Sequence, residues 1–298
     1  MEGWMNRCTL CPRRCGADRT VSVGRCGVGE QVRLARAALH FWEEPCVSGE
    51  EGSGTVFFSG CSLGCVFCQN YQISAGHFGK DIPVERLAEI FLELQEQKAN
   101  NINLVTGGHY IPQIVRALDL VRGKLHIPVV YNSSGYETVE ALRMLKGYVD
   151  VYLPDLKYRS PERGARYSHA PDYFAVASKA ILEMLDQVGP VQFDGRGMIQ
   201  RGLIVRHMVM PNGVEDSMDI LTWIAGNLPL DDILVSVMSQ YTPFYRSGEY
   251  PEINRRLTAQ EYDRVLDWLD CMGIENGFVQ ELSSAKEEYT PDFSLQGV

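Results

Sequence analysis

From residue 54 onward, short β-branched and aromatic runs alternate with stretches of helical spacing. Residues 55–60, 101–106, 127–131, 148–153, 202–209, 232–237 and 276–280 read as strands. Residues 83–97, 110–122, 137–146, 172–188, 217–227 and 258–272 read as helices, with Pro83 and Pro112 near the start of two of them. Strands separated by helices cannot pair as hairpins, so this order predicts a mostly parallel sheet with crossover connections. About seven such units predict an α/β barrel or partial barrel, with its site at the C-terminal ends of the strands. Asp194-Gly-Arg-Gly197 is a hairpin signal before the fifth of these strands.

The loop leaving the first strand is Cys61-Ser-Leu-Gly-Cys65-Val-Phe-Cys68, with spacing C-x3-C-x2-C. A structural zinc or an electron-transfer cluster takes four protein ligands. Three close thiolates can hold three irons of a cube and leave the fourth open to a ligand. The competing reading is a zinc knuckle with a fourth ligand from elsewhere. A second group, Cys8-Thr-Leu-Cys11-Pro-Arg-Arg-Cys15 and Cys26, lies among Gly24, Gly27 and Gly29. Four cysteines suit zinc or a second iron–sulfur cluster; the alternative is four free thiols on a small lobe. Residues 1–48 are therefore expected to form a Cys-rich lobe and residues 49–298 the main domain, joined near the Gly-rich stretch 50–54. Cys46 and Cys271 are expected to be buried hydrophobes.

Polar residues cluster at the strand ends. Thr106-Gly107-Gly108-His109 follows the second strand, and Asn132-Ser-Ser134-Gly the third. Asp155 and Lys157 follow the fourth; two apart in extended chain, they point the same way. Arg206 lies on the fifth strand and is expected to be paired; His207 should face the other side. Gln240 or Tyr241, after the sixth strand, could cap an adenine or a substrate.

The C-x3-C-x2-C loop, with Phe67 before its last cysteine, resembles the signature of the radical S-adenosylmethionine (SAM) superfamily. The resemblance implies a partial (β/α)6-type barrel and a [4Fe–4S] cluster on Cys61, Cys65 and Cys68. It implies reductive cleavage of SAM to methionine and a hydrogen-abstracting 5′-deoxyadenosyl radical. It places Phe67 beside the adenine, Gly107 and Gly108 at the methionine end, Asn132 and Ser134 as further SAM contacts, and Asp155, Lys157 and Arg206 in the SAM and substrate pocket. His109 stands where superfamily members carry Glu. Residues 150–157 and 204–211 resemble glycyl-radical-enzyme activases, and most of the chain is similar to iron–sulfur proteins related to pyruvate formate-lyase activating enzyme. The activases carry Asp where this chain has Asn132, so their cation site is not carried over. The implied partners are SAM, an electron donor such as flavodoxin or ferredoxin, and a glycyl radical enzyme. Modification of a small molecule or another protein is the alternative, and a non-catalytic iron–sulfur or electron-transfer protein the third reading.

Composition agrees. A net charge of −10 gives no basic face for nucleic acid. No apolar run approaches the ~20 residues of a membrane span, and residues 1–7 lack the apolar core of a secretory signal. Nine cysteines in an odd, clustered set read as metal ligands in a cytoplasmic protein rather than a disulfide framework.

Overall fold

The computed structural model describes residues 3–282 and 291–298. Its strands are β1 (Val32–His40), β2 (Ser53–Phe58), β3 (Lys80–Ile82), β4 (Ile102–Val105), β5 (Val129–Ser133), β6 (Val151–Pro154), β7 (Gln192–Phe193), β8 (Ile199–Met208), β9 (Leu234–Met238) and β10 (Gly277–Val279). They lie in the order β10-β9-β8-β6-β5-β4-β2-β1-β3, with β7 paired to β8. The seven strands from β2 to β10 along this path are parallel to their neighbours. β1, β3 and β7 are antiparallel additions. The sheet path ends at β10 and β3 without closing on itself, among the described residues. It is a partial barrel, as the strand–helix alternation predicts.

The helices form where their apolar stripes can cover the sheet. In Val84–Glu96 the buried residues Leu87, Ile90, Phe91 and Leu94 recur at three- and four-residue steps. Tyr173–Val188 buries Ala177, Ala180, Ile181 and Met184 on the same pattern. Ala259–Cys271 starts with a capping box between Thr258 and Glu261. Sequence periodicity did not bring out the helix Pro161–Ser168, which Ser160 caps through the amide of Arg163.

Three expectations need correction. The sheet begins at Val32, ahead of the expected boundary after residue 48, because β1 lies along β2 from Leu34↔Phe58 to His40↔Ser53. Ser53 and Gly54 are not a flexible joint but the buried start of β2. A Cβ at position 54 would come within 2.8 Å of the Asn101 carbonyl oxygen, so glycine there permits strand contact. Cys271 is exposed at the last turn of its helix, whereas Cys46 is buried as expected.

The C-terminal residues return to β1. Leu295 N donates to Ala35 O, and Ala37 N donates to Gln296 O, at 3.0 and 2.8 Å. Phe293 packs edge-on against Phe57. No described helix is long and apolar enough to cross a membrane.

Candidate active site

The parallel register sets the strand ends side by side. Val105 pairs with Asn132, Asn132 with Leu153, Asp155 bridges Arg206, and Arg206 pairs with Ser236. Above them opens a cavity of about 470 Å³, within the usual range for small-molecule sites.

The cysteine loop forms one wall. Gly60 begins it at φ +90°, and a Cβ there would meet the Cys26 carbonyl oxygen at 2.7 Å, so the turn requires glycine. Cys61 N donates to that same carbonyl at 3.1 Å. Cys61, Cys65 and Cys68 all line the cavity. Each accepts a hydrogen bond: Cys61 from Leu63 N at 3.4 Å, Cys65 from the Ser168 hydroxyl at 2.9 Å, and Cys68 from the Ser74 hydroxyl at 3.3 Å. Burial pushes the Cys65 thiol up to about 12 and also raises Cys68. A metal reverses that preference by binding the thiolate. Among the described residues no trio of Cys, His, Asp or Glu side chains is gathered to hold a single ion. A four-iron cube does not require one, because its thiolates bind separate corners. Three cysteines lining one cavity, each sulfur with a hydrogen-bond donor, fit such a cluster.

A buried charge network also lines the cavity. Arg206 donates to Asp155 Oδ1 and Glu43 Oε2 at 3.0 Å each, and to Asn132 Oδ1 at 2.7 Å. Lys157 Nζ reaches Asp155 Oδ2 at 2.6 Å. Glu43 also accepts from Asn132 and Asn103. Burial alone would raise Asp155, but Arg206 and Lys157 outweigh it and hold the carboxyl below the usual range. For Glu43 and Glu44 burial wins over Arg206, and both are raised.

The predicted residues divide clearly. Phe67, Asn132, Ser134, Asp155, Lys157 and Arg206 line the cavity with the three cysteines. Gln240 and Tyr241 do too, though the Tyr241 hydroxyl is committed to Ile253 O at 3.0 Å. Gly107 and Gly108 do not line it. Gly108 lies against Glu137, whose carboxylate would sit 2.4 Å from an added Cβ, and Gly107 faces Ile114. His207 faces away, its Nδ1–H donating to Leu156 O at 2.7 Å while Nε2 accepts from the Ser217 hydroxyl. His109 is also elsewhere, donating from Nε2 to Ser59 O at 2.8 Å. It borders a small hollow lined by Cys8, Cys11, Cys15 and Cys26 together with Arg19 and Arg25. The four N-terminal cysteines are thus neighbours, and the Cys26–Cys61 backbone bond joins the two cysteine groups.

Glu43 and Glu44 were missed from sequence. They follow β1, which the reading of residues 1–48 as a separate lobe hid; the available signal was an acidic pair directly after an apolar run.

A parallel α/β partial barrel with a cysteine triad lining a strand-end cavity defines an α/β protein with a cysteine-rich site at its strand ends. The chain matches the Radical SAM superfamily over residues 55–221 and belongs to that superfamily. It is also 36% identical over 277 residues to an uncharacterized protein of Methanocaldococcus jannaschii, across 90% of this chain and 75% of that one. In fold it is similar to Streptococcus suis SuiB bound to S-adenosylmethionine, with TM-score 0.51 and 13% identity over 76% of this chain. This chain spans about half of SuiB, covering 50% of its length. A mutant spore photoproduct lyase superposes with TM-score 0.50 and 9% identity over 78% of each chain.

Proposed function

We propose that the protein is a radical SAM enzyme that binds a [4Fe–4S] cluster through Cys61, Cys65 and Cys68. The carrying observation is that these cysteines, each sulfur with a hydrogen-bond donor, line one cavity with Asn132, Asp155, Lys157 and Arg206. When bound, the cluster and SAM supply one-electron reduction of a sulfonium and hydrogen abstraction. The chain does the positioning. Phe67 offers a face to the adenine and packs against Tyr241 at 5.7 Å. Asn132 and Ser134 offer hydrogen bonds to ribose hydroxyls or a carboxylate. Lys157 keeps its charge because Asp155 outweighs its burial, so it would offer a cation to a carboxylate of a bound ligand.

In the first reading the hydrogen comes from a glycyl radical enzyme, in a cytoplasmic reaction with flavodoxin or ferredoxin as electron donor. The resemblance of residues 150–157 and 204–211 to the activases supports it. Cys8, Cys11, Cys15 and Cys26 are proposed as a second metal site, for zinc or another cluster, because all four border one hollow.

The test is anaerobic reconstitution, incubation with dithionite and SAM, and assay for 5′-deoxyadenosine. Wild type should form it; a Cys61/Cys65/Cys68 triple alanine variant should not. Equal formation by both would refute the assignment. SAM binding to the reconstituted protein separates an enzyme awaiting its substrate from an electron carrier, which needs no SAM.

A further inference from the structure

Cys65 differs from the other two cysteines of its loop in what stands behind its sulfur. Cys61 accepts from an amide of that loop, Leu63 N, at 3.4 Å. Cys68 accepts at 3.3 Å from Ser74, a residue that itself lines the cavity. The Cys65 sulfur takes the shortest of the three bonds, 2.9 Å, from the Ser168 hydroxyl. Ser168 ends the helix Pro161–Ser168, is fully buried and does not line the cavity. It reaches the sulfur from within the protein, and Arg13 Nη2 fixes its carbonyl at 2.9 Å.

Behind Ser168 stands a second hydroxyl. Tyr158 Oη lies 2.9 Å from Ser168 Oγ. Tyr158 is also fully buried, and it does not line the cavity either. Its ring is edge-on to Tyr173 at 5.4 Å and tilted against Tyr167 at 6.4 Å. Counting hydrogens gives the direction of this chain. A serine hydroxyl has one hydrogen. A thiolate sulfur bound to iron has none, so it can only accept. Ser168 then gives its hydrogen to Cys65, and Tyr158 gives its own to Ser168. Two buried hydroxyls thus point in series at one sulfur, and each polarises the next.

We propose that Tyr158 and Ser168 form a hydrogen-bond relay that raises the reduction potential of a cluster held by Cys61, Cys65 and Cys68. The proposal rests on the enzyme reading above and deepens it. Reduction adds one electron, whose charge is shared with the sulfurs. A donor aimed at a sulfur therefore binds more strongly in the reduced state and favours it. Both are positioning residues that act through Cys65.

The test uses the full-length protein, reconstituted anaerobically with iron and sulfide and kept free of SAM. Iron is counted, and the reduced cluster is followed by electron paramagnetic resonance while dithionite, the electron source, lowers the solution potential. Ser168→Ala should lower the midpoint by about 59 mV, a tenfold shift for one electron. Tyr158→Phe keeps the ring, removes the hydroxyl and should lower the midpoint by a smaller amount. Tyr167→Phe is the control, because the Tyr167 hydroxyl bonds Glu252 instead; its midpoint should match wild type. A wild-type or raised midpoint in Ser168→Ala or in Tyr158→Phe overturns the proposal. An equal fall in Tyr167→Phe also overturns it, since ring packing rather than the hydroxyls would then set the potential. Should Ser168→Ala hold no cluster, the Tyr158→Phe midpoint decides alone. A wild-type protein that binds no four-iron cluster removes the enzyme reading and the relay with it; a full cluster with unshifted midpoints removes the relay alone.

Discussion

Arg13→Ala should loosen the cysteine loop at residues 61–68 without unfolding the protein. Arg13 lies between Cys11 and Cys15, yet its guanidinium reaches out of the N-terminal segment. It donates from Nε to Ser62 O and from Nη2 to Ser168 O, both at 2.9 Å, and from Nη1 to His169 O. Ser62 is inside the cysteine loop, and Ser168 holds the Cys65 sulfur. The cation also sits 5.1 Å from the Tyr136 ring centroid. Charge-assisted hydrogen bonds contribute about 1.5–3 kcal/mol each when well buried. Arg13 is half-exposed, so about 1 kcal/mol apiece is the sounder figure, or about 3 kcal/mol for the set. Released locally, that raises the open population of the loop roughly a hundredfold. Hydrogen exchange by mass spectrometry over residues 60–70 should show the change, while protection in β5 and β6 stays near wild type. Arg13→Lys retains a single donor group and should restore part of it. Loop protection in Arg13→Ala within twofold of wild type would refute the argument, as would an equal loss of protection across the whole sheet.

Other consequences follow from the same geometry. Asp155→Asn strips the shared carboxylate from Lys157 and Arg206; breaking a buried pair in this way costs about 3–5 kcal/mol, and urea unfolding at neutral pH should show it. Because the folded pKa of Asp155 is depressed, its contribution is full above the ordinary carboxylate pKa and fades as pH falls through the folded value. Unchanged stability in the variant would contradict the network. His40 is pulled down to about 4 by burial and by Arg36. Between pH 6.5 and 4 the unfolded chain therefore binds a proton that the folded chain does not, and stability falls with pH. His40→Asn should flatten the loss between pH 7.5 and 5 by at most about 2 kcal/mol, and parallel curves for the two proteins would rule His40 out as the cause. Cys8→Ser combined with Cys26→Ser should release zinc or iron beyond any iron held by Cys61, Cys65 and Cys68; identical metal content in wild type and variant would exclude a metal at the N-terminal cysteines.

What could be read from sequence was whatever depends on local pattern. The strand–helix alternation gave a parallel sheet, and a parallel sheet puts strand ends on one side. Residues after successive strands therefore met, and Asp155, Arg206 and Asn132 became partners although 51 and 74 positions separate Arg206 from the other two. His207 was rightly set aside by the same two-residue period. The misses lie where partners come together outside that pattern. β1 carries a mixed burial pattern, with Arg33 and Arg36 interrupting its apolar residues, so nothing local marked it as a sheet member. Its pairing with β2 is what carries Glu43 to Arg206, 163 positions away. Ser74 and Ser168, the donors to Cys68 and Cys65, are ordinary polar residues until the fold brings them to sulfur. A glycine pair after a strand marks close approach, and at Gly107 and Gly108 an added Cβ would meet Ile114 and Glu137. The N-terminal cysteines were legible as a group, but their attachment was not. Cys26 O receives the Cys61 amide and Arg13 grips Ser62, so whatever orders that group also sets the frame in which Cys61 is held.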